Sequence, residues 1–191
     1  CWAMVKPAAE FDAILALADV APECPLALAQ QISLGLRWNT DGDALAALVF
    51  LESAPYKRQA AKATVCGARE PLLENTRQQL SAWFSNPTYR FTVPLATPPT
   101  PFQARLRQYL MAMPSGTTCT YGALAKTLNS APRAVGQALG SNNLPLIVPC
   151  HRVISAGKNR LTGFNHASTG VMLDLKAWLL EREKPDFLGH A

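Results

Sequence analysis

A chain of 191 residues with 49% apolar content can bury a core as one large domain or two small ones. No run approaches the roughly 18 apolar residues of a membrane helix, and no secretory signal is visible at the start, so no membrane partner is expected. The net charge of +5 is modest, but no Asp or Glu occurs from Asn75 to Leu173, a stretch that carries Arg77, Arg90, Arg105, Arg107, Lys126, Arg133, Arg152, Lys158 and Arg160. Compositional drift is one explanation. A surface that must not repel phosphate is the sharper one, and it points to nucleic acid.

The opening Cys1-Trp2-Ala3-Met4 reads as a remnant ahead of a start at Met4. The five cysteines (1, 24, 66, 119, 150) form no Cys-x-x-Cys pair, so free thiols in a reducing compartment are expected. His151, His166 and His190 all fall in the last quarter, and none has metal-ligand spacing with a cysteine other than its neighbour. No metal site is expected.

Pro25 to Trp38 and Ala44 to Glu52 are partly alternating apolar runs around Asn39-Thr40-Asp41-Gly42-Asp43, which predicts a β-hairpin. Glu70 to Phe84 has helical spacing through Leu72, Leu73, Thr76, Leu80 and Phe84, and Asn86-Pro87 stops it. Arg90 to Leu95 is read as a further strand. The Pro-rich stretch from Ala96 to Pro101 is the best boundary. The domains are therefore drawn as 1–96, a linker 97–101, and 102–191.

Beyond the linker the pattern is helical. Phe102 to Met113 places Phe102, Leu106, Tyr109 and Leu110 on one side. Tyr121, Leu124, Ala125 and Leu128 give a short amphipathic helix, Asn129-Ser130-Ala131 a turn, and Pro132 the first turn of another helix running to about Ser141. Two short helices around a three-residue turn suggest a helix-turn-helix. The second has a core side of Val135, Ala138 and Leu139 and an outer stripe of Arg133, Gly136, Gln137 and Gly140. A major-groove reader carries several long polar side chains there. Two glycines cost about 1 kcal/mol each relative to alanine, so this helix gains from being thin. Entry into a minor groove about 6 Å wide and close packing against another helix both explain that.

The last helix is drawn from Ser168 to Glu183, with Met172, Leu175, Trp178 and Leu179 buried and Glu183 continuing the stripe, while Glu181 points to water. A carboxylate on an apolar stripe must find a partner, be neutral, or reach solvent at a frayed end. Between these helices lies Pro149-Cys150-His151-Arg152, set in apolar sequence. A thiol needs a base to become a nucleophile, and a carboxylate behind that base can orient it. Adjacent side chains rarely bond directly, so a water or tight turn has to mediate.

Pro149-Cys150-His151-Arg152-Val153 resembles the active-site signature of the O6-alkylguanine-DNA alkyltransferases, or methylated-DNA–protein-cysteine methyltransferases. The likeness extends through Thr120-Tyr121, Arg133-Ala134-Val135-Gly136, Asn142, Pro145 and Trp178 to Glu183, covering residues 102–183 closely and the first half only in general pattern. The resemblance implies an α/β (α+β) fold: a small N-terminal β-sheet domain with one or two helices, and a mainly helical C-terminal domain with a winged-helix-like helix-turn-helix. It implies irreversible transfer of an alkyl group from guanine O6 to Cys150, one turnover per molecule, with base flipping from the minor groove and thymine O4 left open as a second target. It matches His151 to the base acting through a water, Glu183 to the carboxylate behind it, Asn142 to the hinge, and Tyr121 to the proton donor to the leaving base. Pro145, Val153, Phe164 and Asn165 fall at the alkyl-guanine pocket. Arg133, Ala134, Gly136, Gln137, Thr120 and Lys126 fall on the DNA face.

The expected partner is double-stranded DNA containing alkylated guanine. The protein is expected to be a cytoplasmic monomer, nucleoid-associated in a prokaryote, and to need no cofactor. Phe164 and Asn165 depart from the residues common in the family, which leaves the accepted alkyl size open. Two alternatives stand beside this reading. One is a lesion-binding or helix-turn-helix regulator without chemistry. The other is a Cys–His hydrolase, which explains neither the acid-free stretch nor the glycine-lined helix.

Overall fold

A computed structural model describes residues 11–52, 69–157, 161, 163, 164 and 169–184. The chain divides into two compact units, Cys1–Ala96 and Thr97–Ala191, and the fold is mixed α/β.

In the first unit, strands β1 (Ala13–Ala16), β2 (Ile32–Trp38) and β3 (Leu45–Glu52) form an antiparallel sheet in that order. The β2–β3 hairpin follows from its turn. Asn39 Oδ1 accepts from the Asp43 and Ala44 amides, both at 3.1 Å, and Gly42 takes a φ of 76°. The first arm starts later than Pro25. Leu26–Ala29 is a single helical turn, α2, as its Leu/Ala composition favours, and Leu17–Val20 forms another, α1. Helix α3 (Glu70–Ser85) buries Thr76, Gln79, Leu80, Trp83 and Phe84; Leu72 and Leu73 are only half-buried.

The strand expected over Arg90–Leu95 does not form. In its place, one parallel bridge links Leu95 to Leu45. The reason is where the backbone donors go. Gln79 Oε1 accepts from the amides of Thr92 (2.7 Å) and Val93 (3.2 Å), and Pro94 has none to give.

In the second unit, α4 (Pro101–Ala112) begins on the last residue assigned to the linker. Thr100 caps it, accepting from the Gln103 amide at 3.2 Å, and Leu106 and Leu110 are its buried residues. Helices α5 (Tyr121–Thr127) and α6 (Pro132–Gly140) form the helix-turn-helix, with Asn129 left-handed at the turn (φ 49°). Strands β4 (Cys119–Thr120) and β5 (Val153–Ile154) pair in parallel, Cys119 opposite Val153, which lays the start of α5 beside the segment that follows Cys150. Helix α7 (Val171–Glu183) starts three residues later than expected, after Gly170 at φ 80°. Its buried face is Met172, Leu175, Lys176, Leu179 and Leu180. Trp178 is only half-buried, with the Arg182 guanidinium 6.0 Å from its ring centroid.

Candidate active site and nucleic-acid face

Cys150 stands at the end of a buried, hydrogen-bonded loop, 144–149. Asn142 holds both ends of it. Its Nδ2 donates to the Val148 carbonyl and its Oδ1 accepts from the Leu144 amide, each at 3.1 Å. Leu146 is buried in a left-handed conformation, φ 77°, which a branched side chain adopts only when its surroundings impose it. Pro149 closes a γ-turn: at φ −77° and ψ 67° it brings the Cys150 amide 2.7 Å from the Val148 carbonyl.

Cys150, His151 and Arg152 then form one 3₁₀ turn. At three residues per turn their side chains leave about 120° apart. Cys150 remains partly accessible, while His151 and Arg152 are buried at 0% and 6% exposure.

His151 Nε2 lies 2.8 Å from Glu183 Oε1, and the Glu183 side chain is 1% exposed. The carboxylate that continues the α7 stripe is therefore partnered rather than frayed. Arg152 adds a fork: Nε donates to Oε2 (2.9 Å) and Oε1 (3.1 Å), and Nη2 to Oε1 (2.8 Å). The Gly116 amide donates to Oε2 at 3.1 Å. Burial raises the Glu183 pKa, but the hydrogen bonds from His151 and Arg152 and the Arg152 charge outweigh it and hold the group at about 2. Burial pushes His151 down, so its neutral form is favoured, with Glu183 opposing.

Burial also pushes the Cys150 thiol up, opposed by a hydrogen bond from Asn142 and the charge of Lys176. Lys176, fully buried on α7, donates to the carbonyls of Val153 (2.9 Å) and Gly163 (3.1 Å); burial lowers its pKa to about 8, with Cys150 opposing. The hydroxyl of half-buried Tyr121 is raised by burial and by Cys150. It lies 3.9 Å from where a Cβ would stand on Gly163.

Of the pocket residues expected from sequence, Pro145, Val153 and Phe164 are buried; Asn165 lies outside the described residues. On the helix-turn-helix, Arg133, Gln137 and Lys126 are exposed or partly so, as are Ala134 and Gly136. A Cβ built on Gly136 would meet nothing within 4 Å, so internal packing does not require that glycine. Thr120 serves first as the cap of α5, its hydroxyl accepting from the Ala123 amide at 3.2 Å.

Two residues that meet here are not singled out by the sequence alone. Arg152 enters it only as part of a motif. Lys176 carried a usable signal: it sits four residues after Met172 and seven before Glu183, on the buried stripe itself.

Residues 101–185 match the family model described as the DNA-binding domain of 6-O-methylguanine DNA methyltransferase. The chain belongs to the family of methylated-DNA–protein-cysteine methyltransferases. The constitutive methylated-DNA–protein-cysteine methyltransferase of Bacillus subtilis (strain 168) is 42% identical over 117 residues, which is 60% of this chain and 67% of that one. The methylated-DNA–protein-cysteine methyltransferase of Methanosarcina acetivorans is 40% identical over 116 residues, 60% of this chain and 70% of that one. The crystal structure of Mycobacterium tuberculosis OGT in complex with DNA superimposes with a TM-score of 0.60 at 35% identity, over 80% of this chain and 86% of that one.

Proposed function

We propose that this protein repairs DNA by moving an alkyl group from guanine O6 to Cys150 Sγ, once per molecule. The observation that carries this reading is the His151 Nε2–Glu183 Oε1 contact of 2.8 Å, made by the residue that follows the thiol. Burial keeps Cys150 protonated, so a base is needed. With Nε2 engaged by an ionised carboxylate, the proton leaves the thiol through Nδ1 of His151, by way of a water.

The sulfur then forms a bond to the alkyl carbon as the C–O6 bond breaks, and the bonding pair passes to the guanine. Tyr121, whose hydroxyl burial keeps protonated, supplies the proton that lets guanine leave neutral. The proton taken by His151 and the one given by Tyr121 balance, and exchange with solvent restores both groups. Water does not cleave a thioether, so the cycle ends there. Alkylated thymine O4 presents the same carbon–oxygen bond and is a second target of the same scheme.

The alkyl carbon lies inside stacked DNA, so the nucleotide has to be turned out to reach Cys150. Arg133, exposed at the start of α6, fills the gap it leaves, and the bare face at Gly136 lets α6 approach closely. Pro145, Phe164 and Val153 form the pocket. The first unit acts as a support.

The test is to mix the protein with a duplex carrying O6-methylguanine and weigh its peptides. One methyl on the Cys150 peptide, absent in Cys150→Ser, is expected. Binding without mass gain means a regulator, and turnover of an acyl substrate with free cysteine regained means a hydrolase. Arg133→Ala is expected to slow repair of the duplex but not reaction with a free-base analogue; equal loss on both excludes the flipping role.

A further inference from the structure

We infer that Arg152 is a positioning residue for this transfer: its guanidinium fork fixes the Glu183 carboxylate so that Oε1 accepts the Nε2 proton of His151 and Nδ1 is left as the base. The inference rests on the function proposed above and adds a residue to it.

The geometry is specific. Nε and Nη2 of Arg152 grip the Glu183 oxygens at 2.8–3.1 Å, while Nη1 donates to the Met113 carbonyl at 2.7 Å. The guanidinium is thereby tied to the loop after α4, and the Gly116 amide of the same loop holds Oε2. With the fork, the Gly116 amide and His151 all in place, the carboxylate cannot rotate without breaking several bonds. Such bidentate pairing fixes geometry as well as charge. The partner of one imidazole nitrogen decides which nitrogen carries the proton, and hence which can take one.

Charge alone does not account for an arginine here. Glu183 faces His151, Arg152 and the Gly116 amide; His151 faces Glu183, Arg152 and Lys176. The two cations both disfavour a protonated His151. Arg152 thus weakens the base it serves. Its benefit lies in direction: the carboxylate stays ionised and aimed, and the transferred proton stops on His151.

Single-turnover transfer from an O6-methylguanine duplex, normalised to active molecules and followed from pH 5 to 9, tests this. Arg152→Met is expected to transfer about 100-fold more slowly and to show a new acidic limb as Glu183 protonates within the measured range. Arg152→Lys retains the charge without the fork and is expected to lose about tenfold. Nitrogen NMR of His151 in a Cys150→Ser background is expected to show the Nε2–H tautomer when Arg152 is intact and a mixture of tautomers in Arg152→Lys. A merely structural role would lower the active fraction and leave rate and pH profile per active molecule unchanged, which overturns the inference. If Arg152→Met does not fold, Arg152→Lys decides alone: an unchanged rate overturns the fork. Absence of methyl gain on the unmodified protein is a different result and overturns the proposed function instead.

Discussion

The two units bury polar groups of opposite kinds. Among the described residues, those buried in the first are Ser33, Thr76 and Gln79, all neutral; in the second they are His151, Arg152 and Lys176, all ionisable, beside the nearly buried Glu183 side chain. Two of the neutral ones serve the backbone. Thr76 Oγ1 donates to the Leu72 carbonyl at 2.7 Å, and Gln79 substitutes for a missing strand partner. The charged ones serve one another around a thiol. Desolvating an ion is costly, and a buried ion pair is weak evidence for stability because an apolar replacement often does as well. On the function proposed above, the charges are concentrated where a proton has to move, and the difference teaches that the second unit's interior answers to more than packing.

The largest test of this contrast is Glu183→Gln, which leaves Arg152 with a buried charge and His151 without its anion. Transfer is expected to fall at least 100-fold, and stability by about 3–5 kcal/mol, measured by single-turnover kinetics and urea unfolding at pH 7. The same pair of proteins separates on acidification. The Glu183 pKa is depressed from 4.5 to about 2, so its stabilising contribution is complete above pH 4.5 and is lost as pH falls towards 2. The acid-sensitive part is on the order of 3 kcal/mol. Urea midpoints between pH 2 and 7 should show it in the unmodified protein and not in Glu183→Gln; parallel curves would break the comparison.

The neutral side of the contrast is reached through Gln79→Leu. Leaving the amides of Thr92 and Val93 unsatisfied should cost about 1–3 kcal/mol of stability, with no change in transfer rate per folded molecule. A slowed rate would mean that the first unit does more than support.

The smallest effect is expected at Gly136→Ala. Beyond its own stretch of helix, the added methyl meets no atom of the described residues within 4 Å, so helix propensity alone should raise stability by about 0.5–1 kcal/mol. Binding to duplex DNA, measured by fluorescence anisotropy at fixed salt, is expected to weaken. Unchanged binding would return that glycine to chance.

Local chemistry was legible in the sequence. Asn39 to Asp43 specified a turn because Asn and Gly supply what a hairpin demands, and the spacing of Leu80, Phe84, Leu106 and Leu110 specified helices because apolar residues recur with the helical period. The helix-turn-helix, the isolated thiol and Glu183 on an apolar stripe were visible for the same reason. The strand read over Arg90–Leu95 failed because a side chain from α3, more than ten residues back along the chain, took its amides. Only the tertiary structure decided which groups meet. Arg152 closes on a carboxylate 31 residues further along the chain, and Lys176 on a carbonyl 23 residues behind it. Periodicity reports which face of an element is buried, but the partner of a buried charge is set by how α7, the 3₁₀ turn and the loop after α4 come together, and no local spacing encodes that.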